Sequence, residues 1–240
     1  RRALASRPPA PKGLAVLADP VFDPRDPRVR GGRAPAGSAD ATRGGDGFPL
    51  FDRLASSRRE AEAIASLDGE AMLALDFQAR RSLLTEGRLR DFRVLHFATH
   101  GTFHGEHPEL SGIVLSLVDE SGRPQEGFLR LPDLHDLSLA ADLVVLSGCQ
   151  TALGREIRGE GLVGLSQGFL DAGARNVVAS LWQVPDRATA ELMTVFYRSY
   201  LQRGAAPAAA LREAQLAVRA RRGWSEPYHW ASFILMGEGR

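Results

Sequence analysis

Three short apolar runs stand out along the chain, at residues 94–98, 143–147 and 176–181. They are rich in β-branched residues and almost continuous in apolar character, which is how strands buried on both faces of a parallel sheet read. Between them the apolar positions recur at helical spacing. Leu162, Leu165, Phe169 and Leu170 share one face before Gly173, a natural helix stop. Leu192, Val195, Phe196 and Tyr200 repeat the pattern, and Pro207 opens an Ala-rich helix that turns Leu211, Ala214 and Val218 inward. Residues 231–236 supply a last strand. Upstream, residues 14–18 form a first strand stopped by Asp19-Pro20. Ser57 followed three positions later by Glu60 has the form of a capping box, so a helix is predicted to start at Ser57 and to carry Ala61, Ile64, Ala65 and Leu67. Residues 111–130 interrupt the alternation with a hairpin-like stretch around Glu120-Ser121-Gly122.

Alternation of strands and helices over residues 90–240 predicts an α/β sandwich. Residues 1–13, rich in Arg, Pro and Ala, read as linker, and residues 14–240 as one domain. Within it, residues 23–47 hold many Pro, Gly, Arg and Asp but no aromatic, and are expected to form a mobile loop.

Composition narrows the function classes. The 240 residues are 44% hydrophobic and 25% charged, ordinary for a soluble globular protein. A net charge of +1 gives no bulk electrostatic case for a nucleic-acid partner. Of the 30 basic residues only Lys12 is lysine, a bias given no functional weight. Cys149 is the only cysteine, so no internal disulfide forms and a reducing, cytoplasmic setting is expected. No run approaches the roughly 18 apolar residues of a membrane span. The first residues lack the apolar core of a signal peptide, and without an initiator Met the chain reads as a domain cut from a longer protein.

Reactive groups in open α/β sheets gather at the carboxyl ends of strands. One run ends in Thr99-His100-Gly101 and another in Ser147-Gly148-Cys149-Gln150-Thr151. If the two strands are neighbours, an imidazole and a thiol face each other across a cleft, and the imidazole can activate the thiol as nucleophile. Gly101 frees the backbone beside the histidine, and the N–H groups of Gly101 and Cys149 could form an oxyanion hole. The bland reading of Cys149 is a small buried hydrophobe. His96, inside an apolar run, reads as a satisfied core histidine, and His104 and His107 as solvated loop residues. His96, His100 and His104 are spaced by four, which on a helix would align metal ligands. Gly101 and the flanking β-type residues argue for a strand, so no metal site is expected. Asp186 precedes a helix and reads as its N-cap.

His100 and Cys149 stand about 50 positions apart, the separation of histidine and cysteine in caspase-type peptidases. The stretches at residues 95–101, 107–112 and 142–149 resemble the CHAT family, a branch of the caspase and separase group of cysteine peptidases. So do those at 158–162, 173–182 and 230–233. The similarity runs over residues 14–237 and is densest after Val94. It implies a caspase-like three-layer sandwich, with a mostly parallel central sheet flanked by helices and a small hairpin insertion. It also implies peptide-bond cleavage by a His100/Cys149 dyad without metal or organic cofactor. Protein or peptide substrates, and fusion to tetratricopeptide or other sensor regions, often in bacterial proteins, belong to the same expectation; nucleic acid and membrane do not. Members commonly carry Ala-Cys-Glu-Thr at the nucleophile, where this chain has Gly148-Cys149-Gln150-Thr151 and so lacks the neighbouring carboxylate. Many non-caspase relatives line the pocket beside the nucleophile with carboxylates and take basic side chains. That assigns substrate binding to Asp186 first and Asp19 second. The rival reading is a catalytically idle docking module of the same fold.

Overall fold

The structure is a computed structural model that describes residues 7, 9–30, 51–102, 104, 107–148, 160–182 and 184–239, without the side chains of Pro108, residues 160–163 and Asp186. In chain order its strands are β1 (Lys12–Ala18), β2 (Met72–Leu75), β3 (Phe92–Ala98), β4 (Gly101–Thr102), β5 (Gly112–Val114), β6 (Phe128–Arg130), β7 (Leu143–Leu146), β8 (Asn176–Ser180) and β9 (Phe233–Gly237). The helices are α1 (Ala55–Ala65), α2 (Ser82–Thr85), α3 (Leu131–His135), α4 (Glu160–Asp171), α5 (Asp186–Tyr197), α6 (Pro207–Arg219) and α7 (Pro227–Trp230).

Six strands build the central sheet in the order β2-β1-β3-β7-β8-β9. All neighbours run parallel except β8 and β9, which pair antiparallel with Val178 opposite Leu235. Parallel neighbours need long crossovers, and these carry the helices that cover both faces. Along β1 every residue from Leu14 to Ala18 is buried, and the side chains alternate between two cores. Leu14, Val16 and Ala18 join Ile64 of α1, Phe196 and Tyr197 of α5 and Leu211 of α6. Ala15 and Leu17 join Leu134 of α3, Leu165 and Phe169 of α4, and Ile113 and Leu129 of the small sheet. At about 1.5–3 kcal/mol per fully buried large apolar side chain, these two layers supply the main driving force of folding. The result is the expected three-layer α/β sandwich, mostly parallel at its centre. The expected hairpin insertion is a separate antiparallel sheet, β4-β5-β6, with a tight turn in which Gly122 N donates to Asp119 O.

Several expectations shift in detail. Helix α1 begins at Ala55 with Leu54 at its N-cap, so Ser57 is an interior residue and no capping box forms. Ser57, Glu60, Ala61 and Ile64 are the buried residues of this helix, spaced as one face. Ser57 Oγ accepts from Asp19 N at 3.0 Å and donates to Leu54 O at 2.7 Å. Glu60 turns inward rather than back to its own helix end. Helix α5 starts at Asp186 with Pro185 at the N-cap, whose carbonyl accepts from Ala188 and Thr189, so Asp186 is the first helical residue and not the cap. A π-type turn, Arg198–Gln202, extends this helix and lets Tyr200 stack on Phe196.

Of the stretch 23–47, residues 23–30 are described; they form turns with Val29 buried against Val21 and Val118, while 31–47 lie outside the described residues. In the segment read as linker, Arg7 is anchored. Its Nη1 donates to Leu139 O and Gly173 O at 2.9 and 2.7 Å, and its Nη2 to Ala141 O at 3.0 Å. Among the described residues no helix is long and apolar enough to cross a membrane.

Gly173 closes α4 with φ of 111°, and a Cβ there would stand 2.5 Å from Leu139 O. Gly173→Ala is therefore expected to destabilise the domain by about 1–3 kcal/mol through backbone strain and collision. Thermal unfolding should show a midpoint lowered by roughly 2–4 °C per kcal/mol at this size. An unchanged midpoint would contradict the strained cap.

Candidate functional site

The site begins with the pairing of β3 and β7. Val94 lies opposite Leu143 and Phe97 opposite Leu146, and Ser147 N donates to Phe97 O at 3.0 Å beyond the last pair. Both strands run in the same direction, so their carboxyl ends finish side by side. There the backbones nearly touch: a Cβ on Gly148 would stand 2.2 Å from Thr99 O and 2.7 Å from Thr99 N. Only a residue without a side chain fits that approach as it stands. Thr99 and His100 are tied in turn to β5, since Thr99 Oγ1 donates to Val114 O and Val114 N to His100 O. Gly101 is buried and opens β4 opposite Ile113.

His100 is 1% exposed. Its ring packs in a triangle with those of Phe22 and Phe51, whose centroids are 5.1 and 5.2 Å away and 5.6 Å from each other. Nε2 is 2.7 Å from Asp52 O. A backbone carbonyl can only accept, so Nε2 carries the proton, and in the neutral ring Nδ1 holds the lone pair. Nδ1 is buried and has no hydrogen-bond partner among the described residues. Leaving a buried polar atom unpaired costs about 1–3 kcal/mol, which marks this nitrogen as a candidate for chemistry. Burial pushes the His100 imidazole below its ordinary pKa, and the contact with Asp52 offsets this only in part. The ring is thus a neutral base near pH 7.

Cys149 and Gln150 lie outside the described residues, so the structure brings together the immediate predecessors of the expected pair, Thr99 and Gly148, and describes His100 alone of the dyad. The Asp186 backbone opens α5 just beyond the end of β8; its side chain is outside the description. Nearby, Leu181 is exposed and Trp182 Nε1 donates to Tyr228 O at 3.0 Å. Asp19, the second pocket candidate, is fully buried at the end of β1, and its carboxylate is occupied by arginines. Arg53 and Arg58 donate to it, and Arg28 lies 3.1 Å away.

Beneath the site, His96 is enclosed. Its Nδ1 is 3.0 Å from Tyr197 Oη, and its Nε2 is 3.3 Å from Ser147 Oγ. Glu60 Oε1 is 3.1 Å from the same Nε2, close enough for an ionic contact but not aligned as a hydrogen bond. Burial, with the Glu60 charge adding to it, pushes the Tyr197 phenol well above its ordinary pKa, so it remains a neutral hydroxyl. His96 is the satisfied core histidine its apolar surroundings suggested. His104 and His107 are exposed.

Sequence reasoning missed the Asp52 carbonyl because backbone groups leave no mark in a residue pattern. It also missed the Phe22 and Phe51 walls. The return of aromatic residues at Phe48 and Phe51 after the polar stretch 23–47, with Asp52-Arg53 directly after, is the signal that was present.

Comparison with known proteins supplies the family. Residues 1–238 match the CHAT domain. The mouse protein named Tetratricopeptide repeat protein 28 is 42% identical over 222 residues, covering 78% of this chain and 9% of that protein. The human protein of the same name is 39% identical over 217 residues, with the same coverage of 78% and 9%. The chain therefore spans about a tenth of the length of these relatives. Together with the six-stranded sandwich and the histidine at the end of its third strand, the match establishes that the chain belongs to the CHAT domain family, a caspase-like family.

Proposed function

We propose that the domain is a cysteine endopeptidase with Cys149 as nucleophile and His100 as its acid–base partner. The observation that carries this reading is the state of His100: Nε2 is committed to Asp52 O, Nδ1 is buried with no hydrogen-bond partner among the described residues, and the preceding Thr99 meets the backbone of Gly148. In this mechanism Nδ1 takes the thiol proton and the thiolate sulfur attacks the scissile carbonyl carbon. The oxyanion is held by the N–H groups of Gly101 and Cys149. Collapse breaks the C–N bond, and the leaving amine takes the proton from His100. Water, deprotonated by the same nitrogen, then hydrolyses the thioester and restores the thiol. The chemistry uses neither metal nor organic cofactor.

Asp186 is the proposed contact for a basic side chain immediately before the cut, and the engaged carboxylate of Asp19 supports giving it a different role. The substrate is a protein or peptide, with no nucleic acid or membrane involved, in a reducing compartment such as the cytoplasm. The name of the mammalian relatives supports a parent protein with tetratricopeptide repeats, and such a region is the proposed controller of activity. A second reading, the idle docking module, is favoured by the near-complete cover over His100. A peptidase must lift that cover to admit a substrate, whereas a docking module need not.

Cys149→Ala is expected to abolish cleavage with the fold intact, and His100→Ala to cost at least the ~10²–10⁴-fold typical of an acid–base residue. Iodoacetamide should inactivate the protein, with the modification mapped to Cys149 by mass spectrometry. Full activity in Cys149→Ala removes the mechanism. Partner binding without any cleavage in the full-length protein selects the docking module.

The pH dependence follows from the depressed imidazole. Activity requires neutral His100, so kcat/KM should hold through neutrality and fall as pH drops through a midpoint below the ordinary ~6.5 of histidine. The same group makes stability fall with acidification, since the unfolded chain takes up the proton first. A rate that rises on acidification would contradict this assignment.

On a mixed peptide library, preference for arginine or lysine before the scissile bond should collapse in Asp186→Ala. Preference for apolar or acidic residues, unaffected by that change, returns Asp186 to a helix-opening role alone.

A further inference from the structure

Asp19 is placed as no pocket carboxylate would be. Arg53 grips it with two prongs, Nε to Oδ1 at 2.9 Å and Nη2 to Oδ2 at 2.7 Å. Arg58 Nε donates to the same Oδ2 at 2.9 Å. Arg28 Nη1 is 3.1 Å from Oδ1 and donates to the Asp19 carbonyl at 2.8 Å. Arg28 and Arg58 continue to Asp76 Oδ1 at 2.6 and 2.5 Å, and Arg28 reaches Asp26 Oδ2 at 2.7 Å. Three arginines thus balance three aspartates. Asp19 and Asp76, ending β1 and β2, are the non-glycine residues with left-handed φ among those described, at 48° and 52°. That conformation is costly for a residue with a side chain and persists where the surroundings enforce it.

Arg53 directly follows Asp52, the residue whose carbonyl receives the His100 proton. On the other side of the same turn, the Asp19 amide donates to Ser57 Oγ, which donates to Leu54 O. Asp19 therefore holds the segment from Asp52 to Ser57 twice, once by its carboxylate and once by its amide. The geometry points to a role beyond charge balance: Asp19 and Arg53 are positioning residues whose ion pair clamps the Asp52 carbonyl onto His100 Nε2. The clamp keeps the proton on Nε2 and leaves Nδ1 as the lone-pair nitrogen. Its catalytic consequence rests on the peptidase reading; the clamp itself can be observed on the histidine.

The physical case is geometric. A carbonyl on a surface segment is a poor guide for a ring unless something stiffer holds it. A bidentate guanidinium–carboxylate pair is such a part, because two parallel charge-assisted bonds fix direction as well as distance. A misplacement of about 1 Å in a reacting group can cost on the order of 10²-fold in rate.

The test uses nitrogen NMR of the whole domain, which reports which imidazole nitrogen of His100 carries the proton and at what pH the ring titrates. The variants are Arg53→Ala, Arg53→Lys and Asp19→Asn, with Arg25→Ala, which loses only an exposed local pair with Asp23, as control. In the unmodified chain His100 should show a protonated Nε2 and a depressed midpoint. In Arg53→Ala the proton should exchange between both nitrogens and the midpoint should fall further, because the Asp52 contact that partly offsets burial is weakened. On a cleavable peptide kcat should fall about 10²-fold while KM stays unchanged. Arg53→Lys should recover only part of each effect, since one ammonium cannot span both oxygens. Asp19→Asn strands three cations and can fail to fold. The Arg53 variants then decide, because that side chain is 39% exposed. A folded Arg53→Ala protein with the tautomer and midpoint of His100 unchanged overturns the clamp. If the unmodified chain cleaves no peptide, the peptidase reading falls while the NMR comparison still judges the clamp.

Discussion

The structure depends on one pairing, the parallel contact of β3 with β7. Parallel strands share direction, so whatever follows them emerges at the same edge of the sheet. The pairing also requires a long crossover, and here that crossover contains the small β4-β5-β6 sheet and α3. The insertion is useful where it lies, because its β5 fastens Thr99 and His100 from the side opposite β7. Without a side chain on Gly148, the two chain ends come to backbone contact. The sheet therefore sets the approach of Thr99 to Gly148 before any side chain has a say.

Two histidines four residues apart on this strand and its end show how environment divides labour. His96 has a phenol and a hydroxyl at hydrogen-bonding distance and a carboxylate nearby, and every one of those groups is buried. Among the described residues His100 has a single backbone acceptor and one nitrogen without a partner. Saturation makes the first a structural part, and under-saturation is what makes the second the candidate for chemistry. The cost of the idle nitrogen is tolerated because both layers of the sandwich are otherwise densely filled.

Much of this was legible in the residues, for definite reasons. Val94, Leu143 and Asn176 each open runs whose two-sided apolarity can hardly mean anything but central parallel strands, and Gly173 ended its helix as expected. The edge strand β2 went unseen because Met72–Leu75 is four residues with no alternation of apolar and polar positions, although Asp68-Gly69 marks a turn before it. The capping box at Ser57 failed for an instructive reason: the motif was matched, but its two polar residues were claimed by tertiary partners, Asp19 and His96. The arginines that engage Asp19 could not be read from the sequence, since they come from segments 9 to 39 positions away that no local pattern connects. His100 was singled out from motif and spacing. The carbonyl that orients it could not be, because every residue carries one.

Arg7 has a consequence for how this domain sits in a longer chain. The carbonyls it binds, those of Leu139, Ala141 and Gly173, lie just ahead of β7 and β8, at the amino ends of the strands. His100 stands at the carboxyl ends, about 20 Å away along a seven-residue strand. A bulky neighbour joined through Arg7 would meet the sheet at the floor and leave the roof open. The Arg7 anchor there joins the end of α4 to the start of β7, at the edge of the sheet opposite His100.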